Sequence, residues 1–225
     1  MLAIRRADEQ ALLVTLIQQA GLAALAYLFG SVPTGYLVAR ARGIDIRSVG
    51  SGNIGATNAF RILGKGAGSL VLAVDALKGA LAVLVLPRLL AGETADVRVH
   101  AALLAGVCAV LGHNFTCWLR FKGGKGIATS AGVLAAWAPW PFLATLGVFG
   151  VVLAVSRYVS LASIVAAAAL PFAHAFLPPR SRSMVVISSV LAVLAIARHH
   201  GNIRRLLAGT ERRIGRAADA GKGNP

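Results

Sequence analysis

Residues 50–61 read Gly50-Ser51-Gly52-Asn53-Ile54-Gly55-Ala56-Thr57-Asn58-Ala59-Phe60-Arg61: glycines, small polar side chains and one closing arginine. Glycine lets a backbone turn sharply and approach a ligand. Serine, threonine and asparagine side chains, together with free backbone N–H groups, can surround an anion, and a guanidinium adds a charge-assisted fork. Gly50, Ser51, Gly52, Asn53, Thr57, Asn58 and Arg61 therefore read as a phosphate cradle; the plainer alternative is a flexible connector. The spacing Gly50-x-Gly52-x-x-Gly55 also fits a dinucleotide fingerprint, but that motif needs a preceding strand and a βαβ unit. Apolar segments flank it here, so the nucleotide reading is rejected.

Two further clusters carry charge. Gly123-Gly124-Lys125-Gly126 lacks the spacing of a Walker loop. It places Lys125 just before an apolar segment, where it reads either as an ordinary basic loop residue or as a point charge on a phosphate at a helix N-terminus. Near the C-terminus, His199 and Asn202 lie three residues apart among Arg198, Arg204 and Arg205. A basic helix end in lipid headgroups is the alternative there; a histidine so placed can act as acid, base or phosphate ligand. Asp75 and Lys78 are one turn apart within an apolar run, where charges are costly and pair. His113 and Asn114 read as buried, hydrogen-bonded support. Cys108 and Cys117 give no disulfide framework, and the few carboxylates do not cluster, so neither a metal nor a cofactor is expected.

The elements that must position these residues are apolar. The chain has 225 residues, 57% hydrophobic and 14% charged, with a mean hydropathy of +0.73, well short of the roughly 25% charged residues of a soluble domain. Apolar segments run at about 12–39, 68–90, 99–117, 127–137, 140–156, 160–177 and 183–199, several near the ~20 residues a spanning helix needs. The fourth would reach only about 17 Å. It is either a short helix tucked into the bundle or part of one kinked helix over 127–156, with Pro139-Trp140-Pro141 as an interfacial turn. Charge asymmetry arbitrates. Seven spans put sixteen of the 23 Lys and Arg on one side, and Arg5, Arg6, Arg88, Arg98, Arg180 and Arg182 on the other, with Lys78 inside the second span. The expected fold is thus an all-α integral membrane protein: seven transmembrane helices, N-terminus outside, C-terminus cytoplasmic, fourth helix short. Residues 1–210 form a single multi-pass domain and 211–225 a basic, disordered tail. The first apolar run is expected to stay as a helix, not to be cleaved as a signal peptide. A net charge of +15, placed in loops and tail, points to anionic membrane lipids and not to nucleic acid.

The strings GSVPTGYLVAR, GIDIRSVGSGNIGATNAFRILGK, DALKG, LGHNF, FKGGKGIAT, RYVSLASI and HGNIRRLLAGTE together resemble the bacterial membrane acyl-phosphate:glycerol-3-phosphate acyltransferase family, from about Gly30 to Glu211. The resemblance implies a seven-helix enzyme of the bacterial cytoplasmic (inner) membrane with its active site facing the cytoplasm. It would transfer an acyl group from acyl phosphate to the sn-1 hydroxyl of glycerol 3-phosphate, giving lysophosphatidic acid and phosphate, the first step of phospholipid synthesis. It carries catalytic and phosphate-binding roles onto Ser51, Arg61, Lys125, His199 and Asn202, with Gly123 and Gly124 shaping their loop. Two departures are visible: about ten additional N-terminal residues, and Thr116-Cys117 where the family has a proline. The His-x4-Asp pair of other glycerolipid acyltransferases is absent, as is a Gly-x-Ser-x-Gly elbow. Because phosphate is a good leaving group, direct attack without an acyl-enzyme is expected; the general base stays open between His199 and a substrate phosphate oxygen. An anion transporter or a lipid-binding scaffold are the rival classes, though a transporter needs polar groups along a path through the membrane.

Overall fold

The computed structural model of the chain describes residues 2–90 and 95–215, and within these every regular element is a helix. They are α1 (Leu2–Ser31), α2 (Thr34–Arg40), α3 (Ala56–Leu84), α4 (Leu86–Leu90), α5 (Ala95–Asn114), α6 (Ile127–Trp137), α7 (Pro139–Ser156), α8 (Val159–Phe176), α9 (Arg182–Arg198) and α10 (His200–Leu207), with a 3-10 turn at Cys117–Leu119. Runs of Ala, Leu and Val favour this outcome because a helix satisfies every backbone group within its own segment, which hydrocarbon demands. Five segments are long and apolar enough to cross a membrane: Leu13–Arg40, Ala56–Leu90, Val97–Leu119, Pro139–Ser156 and Val159–Phe176. A sixth follows if α9 and α10, bent by 58°, count as one. α6 is apolar but has only 11 residues.

Two boundaries differ from expectation. α3 starts at Ala56, not near residue 68, so Thr57, Asn58 and Arg61 stand on helix and not on a loop. Its first turns are polar and escape a hydropathy reading. They end at Gly64, whose φ of 85° breaks the helix in a region glycine tolerates; Arg42 Nη1 donates to the Leu63 carbonyl at 2.7 Å and caps this short stretch. At the second, Pro139-Trp140-Pro141 is helix and not the interfacial turn expected, while 127–137 and 139–156 are two separate helices, as the seven-segment reading has it. Pro139 opens α7 in its first turn, where a missing N–H costs nothing, so the Pro-Trp-Pro sequence begins a helix and the break lies at Ala138.

The chain divides into two compact units, Met1–Trp137 and Ala138–Pro225. In the first, α1 packs chiefly on α5 and α3 on α6. Glycines set both distances: a Cβ on Gly30 or Gly112 would overlap the backbone of Ala109 or Tyr27, and one on Gly79 or Gly132 that of Thr129 or Ala76. Small residues at such contacts let helix backbones approach where lipid removes the hydrophobic drive. α1 stops at Pro33, which cannot donate to the preceding turn. In the second unit α8 packs against α7 and α9, and α10 touches both α8 and α9. Residues 216–225 of the expected tail lie outside the described residues. Glu211, placed by sequence at the start of that tail, is buried.

Candidate functional site

In the first unit, the segment between α2 and α3 is held from beneath. Ile46 and Ile54 are buried against Ala39, Ala59, Val71 and Leu119. Above that plug the backbone turns twice in the left-handed region, at Gly50 (φ 65°) and Gly52 (φ 69°). Asn58 clamps the turn: its Oδ1 accepts from the Ser51 N–H at 2.9 Å, and its Nδ2 donates to the carbonyls of Ile46 (3.2 Å) and Val49 (3.1 Å). Both amide protons of this buried side chain are therefore spent on the loop. Asn53 Oδ1 accepts from Gly55 N–H at 2.9 Å, closing a turn just ahead of α3. The Ser51 and Thr57 side chains stay exposed and Arg61 is half-buried. At the loop's near end Arg47 bonds Asp45 at 2.7 Å and lies 4.9 Å over the Tyr36 ring. The Arg47 side-chain and backbone hydrogen bonds hold the Asp45 carboxyl at about 2.

A second loop, between α5 and α6, carries the other glycine cluster. Arg120 and Phe121 both adopt positive φ (54° and 60°). Phe121 N–H donates to the Thr116 carbonyl at 2.9 Å and Lys122 N–H to that of Leu119 at 3.1 Å. Gly123 and Gly124 are buried and donate to the carbonyls of Asn114 (3.2 Å) and His113 (3.0 Å). Lys125, half-buried, follows directly, two residues ahead of α6. Asn114 is buried beside Gly126, and its Oδ1 has no hydrogen-bond partner among the described residues. Leu119 belongs to the same apolar cluster as Ile46 and Ile54, so the two loops are neighbours at one end of this unit. Thr116 is buried and donates from Oγ1 to the Ser31 carbonyl.

Beneath the loops lies a buried ionic cluster. Lys78 Nζ is 2.8 Å from Asp75 Oδ1, 2.9 Å from the Val32 carbonyl and 2.9 Å from His113 Nδ1. Thr34 Oγ1 donates to Asp75 Oδ1 at 3.0 Å. Burying two charges is costly unless the geometry is good and the remaining hydrogen bonds are made; here the carboxylate, the Val32 carbonyl at the α1–α2 break and the imidazole take up the ammonium's three donors.

In the second unit His199 is buried at the bend between α9 and α10, so it and Asn202 do not share one continuous helix. His199 Nδ1 lies 2.8 Å from the Ala195 carbonyl. A carbonyl only accepts, so Nδ1 is the donor in this contact. Asn202 N–H donates to the His199 carbonyl at 2.8 Å, and its Nδ2 to Glu211 Oε1 at 2.7 Å. Glu211, missed by the sequence reading, also accepts from Ser160 Oγ (2.8 Å) and Arg205 Nε (2.7 Å). Burial pushes its carboxyl up, but hydrogen bonds from Asn202, Ser160 and Arg205 outweigh that and hold it below its ordinary value. The available signal was one carboxylate in an otherwise basic C-terminal stretch, at the end of HGNIRRLLAGTE.

The fold and these loops define an α-helical integral membrane protein that gathers phosphate-suited groups at helix ends. The sequence profile of the glycerol-3-phosphate acyltransferase family matches residues 20–209, and the chain belongs to that family. It is 48% identical over 186 residues to the glycerol-3-phosphate acyltransferase of Geotalea daltonii, covering 83% of this chain and 92% of that one. It is 49% identical over 199 residues to that of Thermosynechococcus vestitus, covering 86% and 94%. It is also similar to the crystal structure of PlsY (YgiH), an integral membrane glycerol 3-phosphate acyltransferase. Against the glycerol 3-phosphate form the TM-score is 0.78 at 38% identity, covering 88% of this chain and 96% of that one. Against the lysophosphatidic acid form it is 0.76 at 36% identity, covering 88% and 95%.

Proposed function

We propose that this chain transfers an acyl group from acyl phosphate to the sn-1 hydroxyl of glycerol 3-phosphate, releasing 1-acyl-glycerol 3-phosphate (lysophosphatidic acid) and phosphate. It would do so as a seven-span protein of the bacterial cytoplasmic membrane, its site on the cytoplasmic face. The observation that carries the reading is the meeting of two glycine loops at one end of the first unit. Asn58 holds one so that Ser51 is presented outward, and the other leads directly into Lys125. Both substrates are phosphates, and cations from different elements offset their repulsion: Arg61 as a fork, Lys125 as a point charge. Gly50, Gly52, Asn53, Thr57, Gly123 and Gly124 shape or line the phosphate sites, with Asn58 as the clamp.

The glycerol hydroxyl oxygen forms the new bond to the acyl carbon while the carbon–oxygen bond to phosphate breaks. Phosphate departs with the electron pair, so no protein nucleophile is needed, and positioning and charge stabilisation supply the rate. The hydroxyl proton goes to His199 or to a substrate phosphate oxygen, with Asn202 helping to orient the acceptor. Ser51 hydrogen-bonds a phosphate and carries no acyl group.

The test is phosphate release by the purified chain given acyl phosphate and glycerol 3-phosphate. Arg61→Ala and Lys125→Ala should each lower kcat/KM by at least about a hundredfold while leaving the thermal transition in place, since each removes a charged group from a phosphate. Full activity in either refutes the site. Turnover with acyl-CoA as sole donor refutes the donor, and an acyl group trapped on Ser51 refutes direct transfer.

A further inference from the structure

His113 stands between the buried ion pair and the glycine loop, touching both. The Lys78 ammonium has three protons, and its three close neighbours are the Asp75 carboxylate, the Val32 carbonyl and His113 Nδ1. Nδ1 therefore accepts, and the ring proton sits on Nε2. A Cβ on Gly124 would overlap His113 Nε2, so this edge of the ring lies directly against the Gly124 backbone. The Gly124 N–H also donates to the His113 carbonyl at 3.0 Å, and a Cβ on Gly123 would overlap that same carbonyl. Lysine thus fixes the ring, and the ring and its carbonyl fix two consecutive glycines. A flip of the imidazole would lose the Lys78 bond. The next residue along the chain is Lys125.

We propose that His113, held by Lys78 and Asp75, is a positioning residue that sets the Gly123–Gly124 backbone and thereby aims the Lys125 ammonium at a substrate phosphate. The inference rests on the phosphate role given to Lys125 above. It turns the ion pair from a buried liability into a device: the charge confined between α3 and α5 is read out as the orientation of a loop at the surface of the unit. It also explains why residues 123 and 124 are both glycine, since any side chain there collides with His113.

The experiment is phosphate release by the purified full-length protein in detergent, with glycerol 3-phosphate and acyl phosphate varied separately. The variants are His113→Asn, Gly124→Ala and Lys125→Ala, each with its thermal transition recorded. His113→Asn leaves an acceptor near the Nδ1 position for Lys78 but removes the Nε2 edge, so it spares the ion pair and frees the loop. Gly124→Ala disturbs the same contact from the other side. Each should raise KM for one of the two phosphate substrates by about ten- to a hundredfold, the scale of a misplaced positioning group, with kcat changed much less; the transition should stay close to wild type in His113→Asn and fall in Gly124→Ala, whose Cβ overlaps the ring. The inference fails if both variants fold and keep both KM values within about twofold of wild type, or if activity falls only through kcat in step with lost stability, as a purely structural role would give. Should His113→Asn not fold, the double variant Asp75→Leu with Lys78→Met, which releases the ring and leaves the loop's own residues in place, decides by the same criteria. An inactive Lys125→Ala beside unchanged KM values in the other two sinks the positioning role alone. A fully active Lys125→Ala sinks the phosphate role, and the positioning role with it.

Discussion

At Asn58 one side chain makes three hydrogen bonds that define where the Ser51 N–H and two carbonyls of the 41–55 segment lie. Removing it strands one donor and two acceptors near a buried plug, at roughly 1–3 kcal/mol for each group that water does not reach. Asn58→Ala is therefore expected to lower stability by about 2–3 kcal/mol and to reduce kcat/KM strongly, measured by denaturation and by phosphate release. Asn58→Asp keeps the acceptor for Ser51 but loses both donations and sets a negative charge beside the proposed phosphate site, so its activity should fall at least as far. The Asp75–Lys78 pair obeys a different rule. Asp75→Ala leaves Lys78 buried without its counter-charge, which costs about 3–5 kcal/mol. The double replacement Asp75→Leu with Lys78→Met removes both charges and should recover much of that loss in a thermal melt. Recovery of stability in the double variant without recovery of activity separates the two roles of the cluster.

Helix α10 shows how a short element is held when it cannot hold itself. Eight residues form too few turns to be stable alone, and α10 touches α8 and α9 only lightly. Glu211 closes it by collecting hydrogen bonds from Asn202 and Arg205 and from Ser160 at the start of α8. Because the folded carboxyl titrates below its ordinary value, its stabilisation is complete above the ordinary glutamate value near 4.3 and is lost as pH falls through the lower folded value. The stability difference between wild type and Glu211→Gln should thus be full at neutral pH, about 1–3 kcal/mol, and shrink as the pH drops below about 4. A difference that grows in acid would refute this account.

The same element shows what sequence reasoning reaches. Apolar density near 20 residues marks α5, α7, α8 and α9 because lipid and helix geometry leave one solution for such runs. It misses the first turns of α3, where Thr57, Asn58 and Arg61 make a polar stretch whose helicity depends on the Gly55–Gly64 boundaries and on the plug beneath. The types and spacing of Ser51, Lys125 and His199 mark them in the sequence as candidates, because phosphate chemistry restricts which groups suit it. The clamp role of Asn58, the Lys78–His113 bond and the Glu211 cluster are not legible there, since each joins residues whose approach only the folded chain decides.

At the scale of the whole molecule, the proposed chemistry makes a demand on topology. The 41–55 and 115–126 loops share one apolar cluster through Leu119, Ile46 and Ile54, so they lie on the same side of any membrane. His199 and Asn202 can serve the same reaction only if the α9–α10 bend faces that side as well. This requires the 11-residue α6 to carry the chain across, despite being shorter than the roughly 30 Å core; the positive-inside excess favours that outcome. Single cysteines at Ser48, Ser181 and Thr210, in a background with Cys108 and Cys117 replaced by alanine, report it through a membrane-impermeant thiol reagent. All three positions are exposed. Ser48→Cys and Thr210→Cys should label in inverted vesicles and stay protected in intact cells, and Ser181→Cys should show the opposite pattern. Opposite labelling of residues 48 and 210 would mean that α6 returns to the side it left, and would separate His199 and Asn202 from the glycine loops by the width of the bilayer.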